Sequence, residues 1–139
     1  MPLSHWLVKS EPGTYSWERF VAEGGARWDG VRNPSARRNL TGMGKGDPVL
    51  FYHSGEGKAV VGLAKVAKES YPDPTAEDPR WVAVDLSPVR PFVQPVTLAE
   101  IKADPSLRHI ALVRQSRLSV MPLDAKAFAR ILALGRTKP

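Results

Sequence analysis

A chain of 139 residues is long enough for one sizeable hydrophobic core and too short for two. With 42% hydrophobic and 24% charged residues it has a globular composition, no apolar run of membrane-spanning length, and no basic-then-apolar start of the secretory kind. Cysteine is absent, which excludes disulfides and thiolate metal sites and fits a reducing cytoplasm; 20 Lys+Arg against 14 Asp+Glu leave +6, a field that gathers polyanions.

The opening His5-Trp6-Leu7-Val8-Lys9 reads as a short strand, stopped by Ser10-Glu11-Pro12-Gly13. A helix from about Ser16 carries Trp17, Phe20 and Val21 and ends at Gly24-Gly25. Arg27-Trp28-Asp29-Gly30-Val31-Arg32 reads as a loop. Asn33-Pro34 then starts a second helix, with asparagine capping the free N–H groups and proline at the first helical position; Gly42 closes it. Val49-Leu50-Phe51-Tyr52 is the unbroken apolar run of a strand buried on both faces. The turn Ser54-Gly55-Glu56-Gly57-Lys58 joins it to a second hairpin strand over 59–66. A proline-rich loop over 71–79 precedes a half-buried strand at 80–86, in which Trp81 reads as a core residue. Thr97-Leu98-Ala99-Glu100 has the spacing of a capping box. Residues 117–121 read as a strand, and Asp124 caps a last helix with Phe128, Ile131 and Leu132 on one face. The order β-α-α-β-β-β-α-β-α lacks the regular alternation of a parallel nucleotide-binding sheet. It predicts an α+β fold over residues 1–139, a single domain with a small curved sheet or open barrel ringed by short helices.

No catalytic signature stands out. His5, His53 and His109 are scattered, and no zinc-protease, phosphate-loop, dinucleotide or serine-hydrolase motif occurs. His53 and Ser54 are neighbours on a strand and point to opposite faces, so they do not pair as base and nucleophile. Catalysis assembled from distant segments stays open. Three segments combine residues that folding alone would not choose: Lys9-Ser10-Glu11-Pro12, Trp28-Asp29-Gly30-Val31-Arg32-Asn33, and Arg114-Gln115-Ser116-Arg117-Leu118-Ser119. Each has a plainer reading, with Trp28 plugging the core, Asn33 serving only as a cap, and Arg117 a solvated charge. Together they supply what base recognition requires, an indole to stack on and donors and acceptors for a base edge.

Seven runs carry a resemblance. They are Trp6-Leu7-Val8-Lys9-Ser10-Glu11-Pro12, Tyr15-Ser16-Trp17, Trp28-Asp29-Gly30-Val31-Arg32-Asn33, Gly46-Asp47, Phe51-Tyr52-His53-Ser54, Tyr71-Pro72-Asp73-Pro74 and Arg117-Leu118-Ser119-Val120-Met121-Pro122. In this order, over nearly the whole chain, they closely resemble the EVE domain family of the PUA-like superfamily, to which YTH domains are distant relatives. The resemblance implies a PUA-like β pseudo-barrel of about five strands surrounded by short helices. It also implies a non-catalytic module that captures a flipped-out modified base, with methylated or hydroxymethylated cytosine in DNA the leading ligands.

Position by position, the resemblance implies base contacts from Ser10, Trp28, Asn33, His53, Ser54, Arg117 and Ser119, and from Tyr71 in the loop where YTH domains supply further cage aromatics. Phosphate contacts are expected from Lys9, Arg32, Arg37, Arg38 and Arg114. No cofactor, metal or membrane partner is expected, DNA is expected ahead of RNA, and the chain is expected to act as a monomer. A reader of a modified RNA base and an enzyme acting on a modified base or nucleoside are the alternatives. Ser35 stands where a glutamine is common in the family, which leaves the base preference open.

Overall fold

The computed structural model describes residues 4–55 and 57–139. Two apolar runs make its centre. β1 (His5–Ser10) lies parallel to β3 (Pro48–His53), with Trp6 opposite Val49 and Ser10 opposite His53. Leu7, Val8, Val49, Leu50 and Phe51 are fully buried, as strands covered on both faces must be. From β3 the chain meanders antiparallel through β4 (Ala59–Pro72) and β5 (Val82–Thr97). β2 (Ala26–Trp28) pairs with β5, and β6 (Val120–Leu123) with β1, giving the sheet order β2-β5-β4-β3-β1-β6. The long β4–β5 ladder shifts register repeatedly. Each shift adds local twist, which curls the sheet into an open pseudo-barrel.

Local chemistry sets the helix boundaries. Ser16 caps α1 (Trp17–Glu23) by accepting the Arg19 N–H at 3.1 Å, and Gly24, at φ 76°, ends it. Asn33 caps α2 (Pro34–Gly42), Thr97 and Glu100 form the capping box of α3 (Leu98–Ala103), and Asp124 caps α5 (Ala125–Leu134). Between the last two lie a 3-10 turn, Pro105–Leu107, and the short α4 (Ala111–Arg114). α1 sits tightly on the sheet: a Cβ on Gly62 of β4 would lie 2.5 Å from the Trp17 ring.

Four expectations need correction. The loop expected at Trp28 contains the three-residue strand β2, one of the six strands of the sheet. Tyr71 and Pro72 close β4 instead of opening a loop. The strand expected at 80–86 starts at Val82 and continues to Thr97 through Pro88, Pro91 and Pro95. Beyond Leu86, β5 has only β4 as a strand neighbour, and on such an edge a missing N–H costs no ladder bond. Trp81 precedes that strand and is half-buried, so it is not a core residue.

Candidate nucleic-acid interface

A groove of about 880 Å³ opens between the end of β1, α1 and the segment that follows β2. Trp28 forms one wall. The indole is half-buried, held edge-on by Phe51 at 5.6 Å and Tyr15 at 6.4 Å between ring centroids. Those contacts fix the plane of the ring while part of it still faces the groove.

The segment after Trp28 turns at Gly30, whose φ of 74° is left-handed and suits glycine. It is held by Asp73, whose side chain is 0% exposed. The carboxylate accepts the Gly30 N–H at 2.8 Å, Arg32 Nη1 at 2.9 Å, and the Thr75 N–H and Oγ1 at 2.7 and 2.6 Å. Burial by itself would raise the pKa, but the bonds from Thr75, Gly30 and Arg32 outweigh it and hold the carboxyl well below the usual range.

Asn33 borders the groove with its oxygen committed, Oδ1 accepting the Ala36 N–H at 3.0 Å. Its amide N–H₂ has no partner among the described residues and is available to a ligand. Ser10 is buried at the floor and donates its hydroxyl to the Tyr15 carbonyl. Lys9 donates to the Ser116 carbonyl at 2.8 Å, and burial together with nearby Lys58 lowers its pKa. Its backbone N–H donates to the Ser119 carbonyl at 2.9 Å, which brings Ser119 to the groove. At the far wall the Tyr15 hydroxyl donates to Glu23 at 2.7 Å, and the Arg19 guanidinium lies 5.2 Å from the Tyr15 ring. Burial and the Glu23 bond push the Tyr15 pKa up to about 12.

The structure therefore brings Lys9, Ser10, Trp28, Arg32, Asn33 and Ser119 together around one groove, and places the other expected residues elsewhere. His53 accepts the Trp17 backbone N–H through Nε2 at 3.0 Å, so it steadies the first turn of α1, and burial lowers its pKa. Ser54 donates its backbone N–H to the Ser10 carbonyl at 2.9 Å. Tyr71 borders a separate shallow cleft, because β4 runs past it and its hydroxyl is tied to Asp85. Arg114 and Arg117 line a second cleft of about 340 Å³, and Asn33 borders both cavities. Arg38 donates to Ser35 at 3.2 Å, and the Arg37 guanidinium lies 5.3 Å from the Trp81 ring. Arg32 is ion-paired with Asp73 through Nη1 and bonds Thr75 through Nη2, while its side chain stays partly exposed.

Tyr15 and Asp73 both lay in the resembling motifs without being picked as site residues. Among the described residues no cluster of three or more histidines and carboxylates is arranged to hold a metal ion.

A family model of the EVE domain matches residues 4–134. The chain belongs to the EVE domain family. Human thymocyte nuclear protein 1 is 33% identical to this EVE domain, over 98% of this chain and 76% of the human one. A crystal structure from Agrobacterium tumefaciens is 43% identical, with a TM-score of 0.94 over 96% of this chain and 94% of that one. Human thymocyte nuclear protein 1, solved in complex with DNA containing 5-methylcytosine, is 34% identical with a TM-score of 0.89, over 98% and 99% of the two chains. A YTH domain from Zygosaccharomyces rouxii, in complex with N6-methyladenosine RNA, is 14% identical with a TM-score of 0.60 and shares the fold alone.

Proposed function

We propose that this EVE domain is a nucleic-acid-binding module that captures a flipped-out modified base in the groove beside Trp28, with methylated or hydroxymethylated cytosine in DNA as the favoured ligand. The observation that carries the reading is the pairing, in one groove, of an edge-locked, half-open indole with the uncommitted amide donors of Asn33. The likeness to human thymocyte nuclear protein 1, solved with 5-methylcytosine DNA, supports it.

The energetics are consistent. Extruding a base costs a few kcal/mol. Stacking on the indole returns about 1–3 kcal/mol. A methyl group in an apolar notch adds about 1–3 kcal/mol of discrimination, so selectivity is real but modest. The remainder comes from phosphate contacts, and the chain has arginines free for them. Arg37, Arg38, Arg114 and Arg117 have no carboxylate within ion-pair distance among the described residues. Catalysis is not part of the reading, since Tyr15, Glu23 and Arg19 are committed to one another.

The test is a titration of matched oligonucleotides carrying cytosine, 5-methylcytosine or 5-hydroxymethylcytosine, as duplex DNA, single-stranded DNA and RNA. Tightest binding to a modified cytosine in DNA is the expected result, with a neighbouring 2-aminopurine reporter brightening as the stack opens. Equal affinity across the series reduces the chain to a generic polyanion binder. A preference for modified RNA replaces the ligand class, and turnover of the base makes the protein an enzyme.

A further inference from the structure

Asp73 does not line the groove, yet it governs one wall of it. β2 ends at Trp28 and α2 begins at Pro34. Among the described residues, every hydrogen bond tying residues 29–32 to a distant part of the chain ends on Asp73 or Thr75. The two carboxylate oxygens have separate tasks. Oδ1 accepts from the Thr75 N–H and Oγ1, which folds its own turn. Oδ2 reaches across the fold to the Gly30 N–H at 2.8 Å and Arg32 Nη1 at 2.9 Å. The same loop returns through Trp81, whose carbonyl accepts the Asp73 N–H at 2.8 Å. The Trp81 ring is faced by Arg32 at 5.7 Å and Arg37 at 5.3 Å. Loop 73–81 thus holds Gly30 and Arg32 by hydrogen bonds, and its Trp81 ring lies beside Arg37 without a hydrogen bond to it.

We propose that Asp73 is a positioning residue for base capture: through Oδ2 it presets the segment between Trp28 and Asn33 and so sets the preference for a modified base that it never touches. The inference rests on the base-capture reading above. A preset wall matters because a pocket ordered before the ligand arrives loses less freedom when it binds. The ion pair also keeps Arg32 from acting as a free phosphate contact, which restrains binding to unmodified strands.

Asp73→Asn separates the two oxygens. Asparagine keeps Oδ1 to accept from Thr75, while its N–H₂ replaces Oδ2 and faces the Gly30 N–H and the guanidinium, donor against donor. It also releases the charge of Arg32. Three changes are expected. The preference for 5-methylcytosine over cytosine DNA falls about tenfold, the scale of loss when a ligand-orienting partner is removed. Affinity for the plain oligonucleotide holds or rises, and its salt slope steepens by about one phosphate. The Gly30 amide exchanges with solvent faster, a change read by NMR with no DNA present.

A merely structural role would weaken both oligonucleotides in proportion, and that result overturns the proposal, as does an unchanged preference. An unchanged Gly30 exchange rate overturns it whatever the oligonucleotides show. If Gly30 exchange rises but the wild-type chain itself has no preference among bases, the base-capture reading fails and takes this role with it. Should Asp73→Asn not melt cooperatively, Arg32→Met carries the same test from the other end of the ion pair. It too should lower the preference, and an unaltered preference there overturns the proposal.

Discussion

Replacing Trp28 with alanine separates what the indole does for the fold from what it does for a ligand. A fully buried tryptophan truncated to alanine costs about 3–5 kcal/mol. Trp28 is only half-buried, and its two edge-on neighbours, Phe51 and Tyr15, are each worth about 0.5–1.5 kcal/mol. About 2 kcal/mol is therefore the expected loss of stability, roughly half the full-burial figure. In a chain of this length that lowers Tm by roughly 6–10 °C and leaves a cooperative transition. The stacking face is lost as well, about 1–3 kcal/mol per base, which lowers affinity about 5–150-fold. The melt is followed by circular dichroism, and binding by fluorescence anisotropy well below the variant's Tm. Trp28→Phe, which keeps a smaller ring, should fall between the two. Wild-type affinity of folded Trp28→Ala for the 5-methylcytosine oligonucleotide would refute the stacking platform. A stability loss at the full core value with unaltered base preference would assign the residue to the core.

Asn33→Asp keeps the oxygen that caps α2 and removes the amide donors, so thermal stability should hold while binding of the modified base weakens; unchanged affinity reduces Asn33 to a cap. Replacing Arg114 and Arg117, or Arg37 and Arg38, with glutamine should weaken modified and plain oligonucleotides alike and flatten the salt slope by about two phosphates per pair. A selective loss for the modified base would move that pair into the reading of the base. His53 provides a pH test. Burial holds its pKa below the ordinary 6.5, so folding favours the neutral imidazole that accepts the Trp17 N–H. As pH falls the unfolded chain takes up the proton first, so this contribution is complete above 6.5 and declines below it. Denaturant titrations across that range should show the decline in the wild type and a flatter profile in His53→Gln.

What could be read from the sequence was local. Ser16, Asn33, Thr97 and Asp124 act on N–H groups three residues away, so their spacing announces four helix starts, and all four hold. The apolar run of β3 was equally plain because burial on both faces leaves no polar position. β2 was hidden because three residues have no periodicity, and their partner lies near residue 85. β5 was cut short because proline normally ends a strand, and only the pairing pattern reveals that its prolines lie where β2 no longer pairs. In the site, Trp28 and Asn33 were legible because an indole and an amide stand close together in one short motif, beside their plainer readings as core plug and helix cap. Asp73 was not, since its partner Gly30 is 43 residues away and its function is created by the fold. His53 and Ser54 belonged to the right motif, but their bonds face the protein.

The arrangement of β1 has a consequence for the order in which the fold closes. β1 precedes the other five strands in sequence, yet it pairs with β3 on one side and with β6, the last of the six, on the other. Lys9 and Ser10, at the end of β1, reach the groove beside Ser119, which immediately precedes β6. The segment through β5 already holds Tyr15, Trp28 and Asp73, but until β6 docks, β1 has an open edge. Pairings of such long sequence separation form late and slowly. The groove is therefore completed only when the segment carrying Ser119 and β6 docks against β1.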